Sequence, residues 1–189
     1  VRGIARDLAA AGIGKLKDIN YKKVKESFKS PITWKKEFQN NNLCPGVAGR
    51  YFKNVKNVES PKWLQDRLTA IGLRPISALV DITNYITFDL GRPLHVYDAD
   101  KVSGNLKMRL ANKNEQCLAL NEVNYKCDSD MIVISDDENK LHGIGGVMGG
   151  FDSGCSMETK NVFLEVALFD PVSVTKTGRK LNLQSDARY

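Results

Sequence analysis

The chain has 189 residues, 42% of them hydrophobic and 26% charged, with a formal net charge of +6. That length supports one sizeable core with room for a small second module, and no apolar run approaches the roughly 20 residues a membrane-spanning helix needs. The opening VRGIARDLAAAG lacks the long apolar stretch and cleavage pattern of a secretory signal, so a cytosolic address is expected.

The charge is uneven. Residues 1–42 carry 10 basic and 4 acidic side chains, whereas residues 43–189 carry 18 of each. Val1, Ile4, Ala5 and Leu8 recur at helical spacing, so the chain opens on a helix and reads as a piece of a longer protein. From Ile13 to Asn42 the text is polar and irregular, ending in QNNN. We expect residues 1–42 to be a helical remnant of a preceding domain plus a connector, and residues 43–189 to form the main domain. Lys22, Lys23, Lys25 and Lys29 fit either a solvated face or a contact with nucleic acid.

YFKNVKNV, Tyr51 to Val58, alternates weakly and suits a strand. SPKWLQDRLTAIG then carries helix punctuation in order, with Ser60 as N-cap, Pro61 at the first helical position and Gly72 as the stop. A second helix follows with Leu79, Ile82, Ile86 and Leu90 on one face and Gly91 at its end, which leaves His95 in a short loop behind Pro93. LKMRL, CLAL, MIVIS and NVFLEVALF are short and β-like, separated by SGN, NEVN and DDENK turns. A last helix is expected over 172–181. Helices, then many short strands, then one helix predict an α+β fold: a compact β-rich sheet domain with helices packed on one side.

Few residues can carry chemistry. Cys44, Cys117, Cys127 and Cys155 form no C-x-x-C pair and have no histidine at ligand spacing, so they read as small apolar fillers and no metal is expected. The two histidines, His95 and His142, are the main acid–base candidates. GIGGVMGG, Gly143 to Gly150, has too many glycines for an ordinary strand and fits either a tight bulged turn or a pocket wall. It lacks the fingerprint of a dinucleotide site and the lysine of a phosphate loop. Glu165 sits inside NVFLEVALF, where alternation puts it on one face with Phe163 and Ala167, a half-buried acid beside an apolar floor.

Taken together and in order, GLRPISALVDITNYITFDLGRPLHVYDADKV, GIGGVMGG, NVFLEVALFDPVSV and GRKLNLQSDARY resemble the central editing domain of the bacterial phenylalanine–tRNA ligase beta subunit, over Cys44 to Tyr189. The resemblance implies a domain that hydrolyses tyrosine wrongly attached to phenylalanine tRNA. It implies a catalytic alpha subunit as partner in a two-alpha, two-beta complex, with ATP and Mg used by the whole complex and no cofactor in this segment. A tRNA-positioning or subunit-contact module without hydrolysis is the alternative. Carried over by position, the substrate-binding residues are Thr83, Asn84, Pro93, His95, Gly146, Gly149, Glu165, Ser185 and Ala187, with His95 positioning the reaction. An apolar pocket for phenylalanine rejects tyrosine by only about a hundredfold, so a second site that tests for the hydroxyl is required, and Glu165 is the residue placed to accept it. Two positions depart from the family pattern: Ser185 stands for a usual threonine and Gly145 for a usual alanine.

Overall fold

The structure, a computed structural model, describes residues 1–39 and 41–188, so Asn40 of the QNNN run and Tyr189 lie outside the description. Among the described residues, its body is built from a mixed five-stranded sheet, a three-stranded antiparallel sheet and a two-stranded ribbon, with four α-helices. This is the α+β class expected.

The chain begins with α1, Arg2–Ala10, whose Val1, Ile4 and Leu8 remain exposed. β1, Trp34–Glu37, then pairs in parallel with β4, Leu106–Leu110. Ile32 and Trp34 pack with Tyr97, Leu106, Met108 and Phe163, so a strand read from sequence as connector belongs physically to the core. Strand β2, Gly46–Phe52, lies upstream of the strand expected over 51–58. The chain leaves the ladder at Asn54, whose φ of 57° turns it away, and the Val55 amide bonds to the Lys160 carbonyl instead.

Helix α2, Lys62–Ala70, starts one residue later than the Ser60 cap predicts, with Pro61 as its cap. Ser60 has another partner: its hydroxyl donates to the buried carboxylate of Asp81 at 2.6 Å. Asp81 also accepts the Ile76 amide at 2.9 Å, which ties the start of α3, Ala78–Leu90, to the α2 segment. The buried side chains of α3 are therefore Asp81 and Thr83, while Ile82 of the expected apolar face is 51% exposed. Gly91 ends α3 with a φ of 68°, as its residue type suggests.

The next strand removes a sequence expectation. His95 is not in a loop; it opens β3, His95–Asp98, and pairs with Glu165 of β10, Val162–Leu168. β10 runs between β2 and β3 and so forms the centre of the three-stranded sheet. β5, Glu115–Leu118, and β6, Asn124–Cys127, make the ribbon. β7, Ile132–Ser135, β8, Leu141–Ile144, and β9, Met148–Gly149, complete the large sheet. All four residues of β7 are buried, as expected of a strand covered on both faces. Val133 and Ile144 enter one cluster with Cys117, Cys127 and Val174, whereas Ile134 and Met108 enter the other with Tyr97 and Phe163.

Helix α4, Pro171–Lys180, has proline at its first turn and Asp170 as its cap, which accepts the Ser173 amide at 2.7 Å. It begins where β10 ends. This places its first turn beside the glycine hairpin of β8 and β9. Among the described residues, no helix is long and apolar enough to cross a membrane.

Candidate active site

Alternation along β10 puts Phe163, Glu165 and Ala167 on one face, and register puts His95 opposite Glu165 and Tyr97 opposite Phe163. These side chains look toward the large sheet. On the other side of β10, Gly49 lies opposite Glu165, and a Cβ there would stand 2.2 Å from Phe163 Cζ, so the glycine makes room for the phenylalanine ring.

A cavity of about 340 Å³ opens where the two sheets meet the start of α4. It is at the small end of the range for ligand pockets, about 300–1,000 Å³. One wall is His95, Tyr97 and Glu165, and the facing wall is the backbone of Gly143, Gly146 and Gly149. Pro93 stands at the edge of the loop that follows α3, and Ala187 closes another side. Pro93, His95, Gly146, Gly149, Glu165 and Ala187 of the expected set thus line a single cavity.

The remaining three expected residues are placed differently. Thr83 and Asn84 lie on α3, outside the cavity lining, and the Thr83 hydroxyl donates to the Val80 carbonyl within the helix. Ser185 donates its hydroxyl to the Val147 carbonyl and so braces the hairpin from behind. Sequence reading passed over Tyr97, Phe169 and Val174, which also line the cavity. Tyr97 is two residues from His95 and shares its face of β3, a relation hidden in the sequence by reading His95 as a loop residue.

The glycine run is both things its composition allowed. It is a tight turn, with Gly146 at a φ of 70°, and it is a wall whose missing side chains matter. A Cβ on Gly149 would stand 2.1 Å from His95 Cε1, so the imidazole lies directly on this backbone. A Cβ on Gly146 would stand 2.7 Å from Val174 Cγ2. Gly145 is also crowded: a Cβ there would meet Ile132 Cγ2 at 2.6 Å and Phe169 Cε1 at 3.0 Å. Ile132 is fully buried and has little freedom to yield. Gly145→Ala is therefore expected to destabilise the fold by about 1–2 kcal/mol, read as a lower urea midpoint with unchanged m-value.

The electrostatics of the wall are unusual. His95 is partly exposed as a residue, yet its Nε2 is enclosed and has no hydrogen-bond partner among the described residues. Burial, with a smaller contribution from His142, lowers its pKa from 6.5 to about 4, so the ring is neutral near pH 7. Glu165 is 4% exposed, and burial raises its pKa to about 7 against the opposing hydrogen bond from Tyr97. That bond runs from the Tyr97 hydroxyl to Glu165 Oε2. His142 is committed elsewhere: its Nε2 lies 3.0 Å from Asp136 Oδ2, and Asp136 also accepts the Glu138 and Lys140 amides, which closes the turn before β8, and the Ser103 amide. The described residues include no group of three or more His, Cys, Asp and Glu able to hold a metal ion, and Cys44, Cys117, Cys127 and Cys155 are all free.

The profile of the B3/4 domain matches residues 43–189. The chain belongs to this family. Over its full length the B3/4 chain is similar to phenylalanine–tRNA ligase beta subunits: 54% identical to that of Paramagnetospirillum magneticum across 191 residues, and 54% identical to that of Rhodopseudomonas palustris across 189. It spans about a quarter of those relatives, 24% and 23%. Its fold matches a crystal structure of an N-terminal fragment of the phenylalanyl-tRNA synthetase beta subunit from Pyrococcus horikoshii, with a TM-score of 0.57 over 96% of this chain and 56% of that one, at 16% identity. That likeness concerns the fold alone.

Proposed function

We propose that this B3/4 domain works within a phenylalanine–tRNA ligase beta subunit, in a complex with a catalytic alpha subunit, and hydrolyses tyrosine wrongly esterified to phenylalanine tRNA. One observation carries the reading: a buried carboxylate at the cavity wall already accepts a hydrogen bond from a phenol, that of Tyr97. Glu165 is thus an acceptor suited to the group that distinguishes tyrosine from phenylalanine. Its Oε1 has no hydrogen bond among the described residues and belongs to a side chain that lines the cavity. A bound phenylalanine would leave that oxygen without a donor, a penalty of roughly 1–3 kcal/mol.

The chemistry asked of the site is modest. Water adds to the ester carbonyl, the bond to the terminal ribose oxygen breaks, and free tyrosine and uncharged tRNA result. The ribose oxygen is an activated leaving group, so holding a water and the ester in register supplies much of the rate. Neutral His95 lines the cavity and is placed to orient such a water or the ester beside it. No step here requires the ATP and Mg of tRNA charging.

The test uses the complete ligase complex charged separately with tyrosine and phenylalanine on the same tRNA. Glu165→Gln keeps the shape and one weaker acceptor, and Glu165→Ala removes both. The preference for the tyrosyl ester is expected to fall about tenfold with Gln and up to about a hundredfold with Ala. Equal slowing of both esters would make Glu165 a structural residue, and an unaltered preference in both variants would refute the reading.

A further inference from the structure

The hydroxyl of Tyr97 raises a question of its own. Tyr97 is fully buried, in a cluster with Phe163, Leu106 and Met108. A buried tyrosine needs a partner for its hydroxyl, and this one has taken an oxygen of the acid that the proposed reaction requires. The ring cannot readily swing aside. It stands edge-on to His95, with centroids 4.3 Å apart and planes at 83°, and lies 6.4 Å from the Trp34 ring.

We infer that Tyr97 is the positioning residue of this site: its fixed hydroxyl holds Glu165 by Oε2 and presents Oε1 to the cavity as an acceptor for a ligand hydroxyl. The inference rests on the tyrosyl-ester reading and adds how the acid is made selective. A carboxyl with no donor near it would be free to rotate and, in so buried a place, would take up a proton. A protonated acid both donates and accepts, binds a phenol by an ordinary neutral bond, and loses little when a phenylalanine arrives. Held by a donor, the same group stays closer to an acceptor-only anion whose bond to a phenol is charge-assisted and about twice as strong. The other titratable groups around it do not supply that donor. His95 shares its register position, neutral and with Nε2 unpartnered. Cys44 senses the charge of Glu165, but its thiol donates to the Gly46 carbonyl.

Tyr97 also joins the two halves of the wall. One side chain donates to Glu165 and packs on His95, so the acceptor for the amino acid and the imidazole proposed to serve the ester are held at a set separation. This is the work of a strand position two residues from His95, and it needs no movement on binding.

Tyr97→Phe keeps the ring and removes only the hydroxyl. In the full-length beta subunit within its complex, the tyrosyl-to-phenylalanyl ratio of kcat/KM should fall about tenfold, chiefly by a higher KM for the tyrosyl substrate, with the phenylalanyl ester affected less. A second measurement needs no hydrolysis: carbon-13 glutamate labelling follows the Glu165 carboxyl, identified by the signal lost in Glu165→Gln. Its midpoint, which burial raises above the ordinary carboxylate range in the parent protein, should rise further in Tyr97→Phe. An unmoved midpoint with an unchanged ratio, or equal slowing of both esters, would overturn the inference and leave Tyr97 a packing residue. If the parent complex shows no preference for the tyrosyl ester, the functional reading fails by itself. The carboxyl midpoint still decides then whether Tyr97 positions the acid: a rise supports it and an unmoved value overturns it.

Discussion

Gly149→Ala is expected to slow the proposed ester hydrolysis about a hundredfold, although the added group is one methyl. The new Cβ would lie 2.1 Å from Cε1, 2.7 Å from Nε2 and 2.9 Å from Nδ1 of His95, so it lands on the whole imidazole. Either the ring leaves its place against the hairpin or β9 moves away from β8, to which Gly149 is paired opposite Gly143. Displacement by about 1 Å of a group that orders a water and an ester can cost about two orders of magnitude in rate, and overpacking adds about 1–3 kcal/mol of instability. A double-mutant cycle separates steric displacement of His95 from damage to the hairpin. With His95→Ala the ring is gone and the alanine at 149 has space, so the second substitution should cost little more. The expected coupling is about 1–3 kcal/mol in stability, measured by urea unfolding. Additive losses would mean that Gly149 serves the strand and not the histidine.

The second large effect is on stability against pH, and its sign differs for the two walls of the cavity. His95 has a folded pKa of about 4, below its ordinary 6.5, so it contributes stability that is complete above pH 6.5 and is lost as pH falls through 4. Glu165 has a folded pKa of about 7, above its ordinary 4.5, so its contribution is complete below pH 4.5 and is lost as pH rises through 7. Each spans up to about 3 kcal/mol, and between pH 4.5 and 6.5 they oppose one another. Removing one exposes the other. His95→Gln should therefore resist acid better than the parent protein, its stability relative to the parent climbing by up to about 3 kcal/mol from pH 7 to pH 4. Glu165→Gln should gain on the parent in the other direction, from pH 4.5 to pH 8. Only the differences between curves matter, because the remaining carboxylates titrate alike in all three proteins. Curves that run parallel would mean that neither group is held in the protonation state described.

Much of this site was legible in the chain before folding was considered. Period-two alternation in NVFLEVALF put Glu165 with Phe163 and Ala167, and the strand does so. Gly91 punctuated α3 where that helix ends, because a left-handed φ is a local property of glycine. The glycine run announced a close approach to backbone, since an absent side chain has few other uses at that density. Local sequence could not say what approaches. The imidazole on Gly149 comes from 54 positions upstream, and the side chains on Gly146 come from Phe169 and from Val174 of α4.

Three further features required the tertiary structure, each for a physical reason. His95 reads as a loop residue because GRPL precedes it, but its place in β3 is decided by a ladder with β10, whose hydrogen bonds join residues about 70 positions apart. The apolar face expected of α3 is partly exposed because Asp81, satisfied by Ser60 and the Ile76 amide, can be buried in its stead; a carboxylate goes inside only when distant donors meet it, and no local pattern announces them. Tyr97 carries no local mark of a role. Register alone puts its hydroxyl on Glu165. Residue types and periodicities thus determined the elements and which faces could hold chemistry, while pairing across β3, β10 and the β8–β9 hairpin decided which of those groups share one cavity, because protonation state and orientation depend on neighbours that only the closed fold supplies.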